Sequence, residues 1–264
     1  MPSFGAHFEE YMRTIMPKKS HLSYLSALIL VLTACTSPPK INYPIVQEEE
    51  KPKNAGALLL FTMKESGTDY YQSRVFVNKE VMVVKDSRAD TDFMLFDRKT
   101  RTIYSTNAEG KTIFVIKPKA VEIQSPLSID YVETSQPSSA IPKVQDMQAT
   151  HYRYEANGEH CYDAVTMPET FLPVVVEAMK DFRLVLAGEH ASTLGNVPEA
   201  MNDACDLAVN IFYATKHYEH GLPIREWDRK GYQRFLQDYK TGVGMDPKEY
   251  ELPKDYTQYS ISDN

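Results

Sequence analysis

Three cysteines and seven histidines carry much of the reactive chemistry available to this chain of 264 residues. An odd number of thiols leaves at least one of Cys35, Cys161 and Cys205 with a task other than pairing inside the chain. The segment His217-Tyr218-Glu219-His220 sets two imidazoles at i and i+3, and His160 adjoins Cys161. Imidazole and thiolate both bind zinc, but the His-Glu-x-x-His spacing is missing and no second ligand pair stands at a diagnostic separation, so no metal is expected. A solvated helix end accounts for the motif better, with the histidines near the negative pole of the helix and Gly221 as the stop. Glu189-His190 has the residue types for acid–base work, yet it follows Gly188 and reads as a loop between helices. Arg225, Glu226, Asp228, Arg229 and Lys230 read as the solvated face of a hairpin, and Trp227 as a packing residue. Neither G-x-S-x-G, a Walker A loop, G-x-G-x-x-G nor C-x-x-C occurs, which weighs against common hydrolases, nucleotide binders and thioredoxin-like enzymes. No catalytic residue and no cofactor is expected.

The balance of 29 Lys and Arg against 36 Asp and Glu, a net charge of -7, offers no footprint for a polyanion, so nucleic acid is not an expected partner. With 42% hydrophobic and 25% charged residues the chain is built to fold.

The one long uncharged apolar run, Leu22 to Ala34, falls short of the ~20 residues that cross a bilayer as a helix. It follows Met16-Pro17-Lys18-Lys19 and ends in small residues, which is the order of a secretory signal. Its end, Leu32-Thr33-Ala34-Cys35, resembles the lipobox of bacterial lipoproteins. That resemblance implies a diacylglycerol on the Cys35 sulfur, cleavage before it and acylation of the new amine. A thiolate suits this role because it is nucleophilic near neutral pH. Thr36, rather than Asp, as the second mature residue implies sorting to the outer membrane, facing the periplasm. Glu9 and Glu10 are foreign to a signal's basic start, so Met16 is the expected initiator and residues 1–15 an extension. Thr36 to Asn54 carries four prolines and Glu48-Glu49-Glu50, the composition of an extended spacer. At ~3.1 Å per residue it reaches roughly 60 Å from the lipid. The expected organisation is a signal at 1–34, a lipidated linker at 35–56, one domain at 57–256 and a tail at 257–264.

With Cys35 committed to lipid, Cys161 and Cys205 stand in an oxidising compartment and most simply form a disulfide, with free buried thiols or a metal site as the alternatives. A loop of that length contributes on the order of 4 kcal/mol in the chain-entropy picture.

The positioning elements are β-rich. Leu58 to Met63, Tyr70 to Val77, Val81 to Val84, Phe93 to Phe96, Thr102 to Ser105 and Thr112 to Ile116 recur with turn residues between them and predict an antiparallel meander. Alternation is only partial, so both sheet faces must be semi-apolar, one lining a core or cavity and the other meeting a second layer. Residues 124–149 read as a long loop with one weak edge strand at Ile129 to Val132. Strands return at His151 to Glu155 and Tyr162 to Val165 around Asn157-Gly158. A helix capped at Thr166 and stopped by Gly188 follows, and then a second helix from Asn196 whose stripe runs from Ala200 to Phe212. The chain closes on a hairpin, Leu222 to Trp227 and Tyr232 to Tyr239, and one helical turn at Pro247 to Tyr250.

The lipobox, the meander with its segment DFMLFDRKTRTIYS, the cysteine-bearing helical region and the ending GLPIREWDRKGYQRFLQDYK with DPKEYELPKDY resemble uncharacterised envelope proteins with the half-barrel fold of the lipoprotein carrier and outer-membrane lipoprotein receptor superfamily. The resemblance implies an α+β fold in which a curved antiparallel sheet holds two helices on its concave face around an apolar cavity. It also implies a non-enzymatic role binding a lipid or other hydrophobic ligand. A membrane-tethered scaffold that contacts an envelope protein partner through a sheet edge or the 124–149 loop is the second reading, and an envelope hydrolase with a dispersed site the third. Replacing Cys35 by Ala should abolish metabolic labelling with palmitate, and undiminished labelling would exclude Cys35 as the anchor.

Overall fold

The computed structural model describes residues 52 and 54–260, apart from 89, 90, 140, 142 and 145. The signal segment, the lipobox and Cys35 lie outside the described residues.

The six expected strands of the meander form as β1 (Gly56–Lys64), β2 (Tyr71–Val77), β3 (Val81–Asp86), β4 (Phe93–Asp97), β5 (Thr102–Asn107) and β6 (Thr112–Ile116). Their turns use short polar side chains in place of the ladder: Asn78 Oδ1 accepts from the amides of Glu80 and Val81, and Asp97 Oδ1 from those of Lys99 and Thr100. A second run contains β7 (Tyr131–Pro137), β8 (Thr150–Ala156), β9 (Glu159–Met167), β10 (Leu222–Asp228) and β11 (Gln233–Val243). The two runs join where β1 pairs antiparallel with β11, from Gly56↔Val243 to Lys64↔Gln233. With β12 (Thr257–Tyr259), the described residues form one open sheet of 12 strands in the order β12-β6-β5-β4-β3-β2-β1-β11-β10-β9-β8-β7. The α+β expectation holds at the level of a large open sheet with two α-helices among the described residues. The sheet is not wholly antiparallel: Thr257–Tyr259, in the segment expected to be a tail, forms β12 and pairs parallel with β6.

The semi-apolar character of both faces has a direct cause. Leu59, Phe61, Val75, Val77, Met82 and Phe96 are buried in the main core with helix residues Val175, Ala178 and Met179. On the alternate positions Phe76, Val83 and Leu95 are buried too, under Met245, Tyr250 and Leu252 of the C-terminal segment. That segment includes the expected helical turn at Pro247–Tyr250.

The helices differ from expectation in ways that have physical reasons. Thr166-Met167 is not a cap: β9 continues through Met167, fully buried opposite Leu222, and α1 (Pro173–Thr193) starts with Pro173 in its first turn, after Leu172 in the left-handed region (φ 51°). Gly188 does not stop α1, because its φ is not positive and the helix runs on to Thr193. A Cβ on Gly188 would stand 2.2 Å from the carbonyl oxygen of Lys119, so the residue is small to let the 117–130 segment pack against the helix. Lys119 then ion-pairs with the buried Glu189 at 2.7 Å and donates to Ser192 Oγ at 3.0 Å, which places Glu189 and His190 in α1 rather than in a loop. The second helix is much shorter than its apolar stripe suggests. Residues 194–201 form two 3-10 turns, with Met201 71% exposed, and α2 (Ala204–Leu207) begins where Asp203 accepts from the amide of Asp206. One turn of π-helix, Ala208–Phe212, follows it.

α1 packs on the sheet against β2, β5, β6 and β10, and α2 against β8 and β9. The Cys161–Cys205 disulfide bonds β9 to α2. Among the described residues no helix is long and apolar enough to cross a membrane.

Gly188→Ala should lower the chemical denaturation midpoint, since a clash with backbone costs about 1–3 kcal/mol and outweighs the roughly 1 kcal/mol that Ala gains in a helix. Gly195, with open space around it, serves as the control. An unchanged midpoint for Gly188→Ala would show that the Lys119 segment yields freely.

Candidate functional site

A cavity of about 400 Å³ lies between the sheet and the helical layer, and it spans the β1/β11 seam. Phe61 and Met63 of β1, Val75 of β2, Met82 and Val84 of β3 and Met94 of β4 supply an apolar wall, with Met179 and Phe182 of α1 facing them. Phe182 meets Phe96 edge-on at 5.8 Å, which fixes the helix over the sheet. The opposite end is polar and contains Tyr162, Arg183, His217, Tyr218, Glu226, Tyr232 and Arg234. Asp206, Asp228, Arg229 and Lys230 form a more exposed rim.

The centre of the polar end is a cross-strand pair. Glu226 of β10 faces Arg234 of β11 in register, and the two form an ion pair with Glu226 only 1% exposed. Tyr162 donates to Glu226 Oε1 at 2.6 Å, Arg234 donates to Tyr218 Oη at 3.0 Å, and the Arg234 guanidinium sits 4.8 Å from the centre of the Phe61 ring. His217 is buried with Nε2 3.7 Å from Glu226 Oε1. Burial is the main cause that drives its pKa well below the ordinary histidine value, helped by the positive charges of Arg183 and Arg234, so the imidazole is neutral. Burial also raises the hydroxyl pKa values of Tyr162, Tyr218 and Tyr232, which stay protonated. For Arg234, burial is the largest single effect and opposes the charge, but Glu226 together with the phenols of Tyr218, Tyr232 and Tyr162 outweighs it, holding the guanidinium protonated.

Two expectations fail here. The His217-Tyr218-Glu219-His220 segment is not a solvated helix end: residues 216–218 form a 3-10 turn that buries His217 and Tyr218 under β10. His220 turns elsewhere, bonding Glu133 at 2.7 Å and stacking on Tyr152 at 4.1 Å. Nor are the hairpin charges uniformly solvated, since Glu226 is in the interior. The cause is a bulge in β10. Pairing runs from Pro223↔Thr166 to Arg225↔Val165, so Ile224 is an extra residue. Plain alternation from Leu222 would have put Glu226 on the face of Met167, whereas the bulge turns it to the face of Ala164 and Arg234. Of the remaining charges, Arg225 is exposed on β10 beside the Trp227 and Phe235 rings, and the other three lie at the tip, where Arg229 ion-pairs with Asp203, Lys230 bonds Asp206 at 2.6 Å and Asp228 accepts from the amides of Lys230 and Tyr232.

Cys161 and Cys205 are joined and line the cavity, so the bridge braces one of its walls. His160 shares the buried carboxylate of Asp163 with His151, whose Nε2 lies 2.7 Å from Asp163 Oδ1, and Trp227 stacks on His151 at 5.4 Å. Among the described residues no group of three or more His, Cys, Asp or Glu is placed to hold a metal ion. Sequence reasoning missed the interior placement of Arg183, Glu226, Arg234, Tyr162 and Tyr218, and no local pattern around them signals it.

No protein-family model and no curated protein matches the chain. Among solved structures it is similar to PNGF-II at 10% identity and a TM-score of 0.40, over 79% of this chain and 32% of that one. It is also similar to an uncharacterized conserved protein from Thermus thermophilus, at 7% identity and a TM-score of 0.40, over 79% of this chain and 91% of that one. The chain thus spans about a third of PNGF-II, and both likenesses are too distant to assign a function.

Because the folded pKa of His217 is depressed, its neutral form contributes stability that is complete above the ordinary value of about 6.5. That stability falls as pH drops below it, where the unfolded chain takes up the proton that the folded chain resists. Thermal melts should therefore lose midpoint between about pH 7 and about pH 5, with a shallower loss in His217→Gln. An identical slope in the variant would exclude His217 as the cause.

Proposed function

We propose that the chain is a non-enzymatic, lipid-anchored protein of the cell envelope that binds a lipid or other hydrophobic ligand in this cavity. In this reading Cys35 tethers the protein to the outer membrane on its periplasmic side, and the sheet is a half-barrel whose concave face carries the helices as a closing layer. The observation that supports it is the cavity itself: an apolar wall drawn from four adjacent strands and α1, large enough for a ligand and open beside the hairpin tip. Met63, Met82, Met94 and Met179 suit such a site, because thioether side chains adapt to apolar ligands of varied shape. The bridge between β9 and α2 and the ion pairs from the hairpin tip to Asp203 and Asp206 hold the wall and rim in place around a changing content.

A second reading, a tethered scaffold, draws on β7. It is an open sheet edge whose residues after Tyr131 are exposed, and an added strand from an envelope partner could pair with it.

Native mass spectrometry of the chain carrying Cys35→Ala, purified from its bacterial host without detergent, should show a co-purifying hydrophobic molecule. Val84→Phe, which fills the cavity from the strand side, should lose it. A wild-type cavity that emerges empty and takes up no added lipid would sink the ligand reading in favour of the scaffold.

A further inference from the structure

The charges around the cavity do not cancel at its inner end. Arg234 and Arg183 both act on His217, Tyr218 and Tyr232, so two guanidinium groups converge on one small region. Glu226 is the carboxylate buried with them, and it is committed to Arg234 and Tyr162. Arg183 is bound to carbonyl oxygens, donating from Nη2 to Val209 at 2.9 Å and from Nε to Ala214 at 3.4 Å. Among the described residues no carboxylate lies within ion-pair distance of Arg183, and Arg234 Nε is buried without a hydrogen-bond partner. His217 is neutral and the phenols are protonated, so none of them offsets the surplus. The acidic rim does not reach inward to do so: Asp203 pairs with Arg229, Asp206 with Lys230, and Asp228 caps the hairpin turn. A half-buried guanidinium held by carbonyl oxygens but by no carboxylate is better satisfied when an anion meets it.

The volume sets the second limit. About 400 Å³, at the ~30 Å³ that a water takes in the liquid, is room for on the order of a dozen methylene-sized groups. One short aliphatic chain fits that space.

We propose that the cavity takes a single-chain amphiphile with an anionic carboxylate head, of the fatty-acid class, with the chain against Phe61, Val75, Met82 and Met179 and the head at Arg183 and Arg234. This rests on the reading of the cavity as a lipid site and specifies what that site selects. Bonds from guanidinium to carboxylate are charge-assisted, and in a site poor in water they discriminate against a neutral head of the same size.

The test uses the full chain with Cys35→Ala, stripped of bound lipid, titrated calorimetrically at neutral pH with dodecanoate, dodecanol and dodecylamine, each below its aggregation threshold. Dodecanoate should bind about ten-fold or more tighter than dodecanol, the scale of one charge-assisted bond, and dodecylamine weakest. Arg183→Gln should narrow the dodecanoate-to-dodecanol ratio. The wild-type ranking decides the question even where that variant is poorly folded. Equal binding of dodecanoate and dodecanol, or tighter binding of the amine, overturns the head-group assignment and leaves the cavity reading standing. Binding of none of the three overturns both.

Discussion

The pairing of β1 with β11 is the constraint on which the rest of the molecule depends. Without it the chain holds two separate sheets, β2 to β6 continuing from β1 on one side and β7 to β10 continuing from β11 on the other. The pairing brings Gly56 beside Val243, residues from opposite ends of the folded unit, and its closure entropy has to be met by contacts that form only once both sheets exist. The cavity lies across this seam, with Phe61 and Met63 from one strand and Arg234 from the other. The Arg234 guanidinium over the Phe61 ring is the most direct statement of how the apolar and polar ends meet there.

The buried Glu226–Arg234 pair shows why the polar end is more than packing. An interior ion pair gives little net stability compared with apolar residues of the same volume, although breaking one partner of it is severe. Such a pair with a neutral histidine and phenols around it is a place where function is commonly found. Its position is also protected. β10 and β11 present Glu226 and Arg234 in register, while the disulfide and the hairpin-tip ion pairs keep the helical layer from moving away.

Strands were the most legible part of the sequence, since runs such as Leu58 to Met63 and Thr112 to Ile116 carry β-branched and aromatic residues between turn signals that act locally. The two apolar faces were legible for the same reason, and the structure explains them by α1 on one side and Met245 to Leu252 on the other. Helix limits were not. Gly188 carries a stop signal in isolation, but the helix runs on past it in close packing against Lys119, and the stripe from Ala200 to Phe212 is broken into short turns, with Met201 facing solvent. The facing of Glu226 was hidden by a single extra residue, Ile224, which reverses the alternation for the rest of β10.

By itself, then, the sequence determined the β-rich domain and the expectation that Cys161 and Cys205 pair, because these depend on residue type and short-range pattern. The tertiary structure alone decided which charges would be interior. Arg183, His217, Glu226 and Arg234 come from α1, a 3-10 turn and two strands, and each reads as ordinary surface chemistry on its own element. Their burial is a property of the register between strands and of the helix laid over them, and register is fixed by long-range contacts that no local stretch of sequence contains.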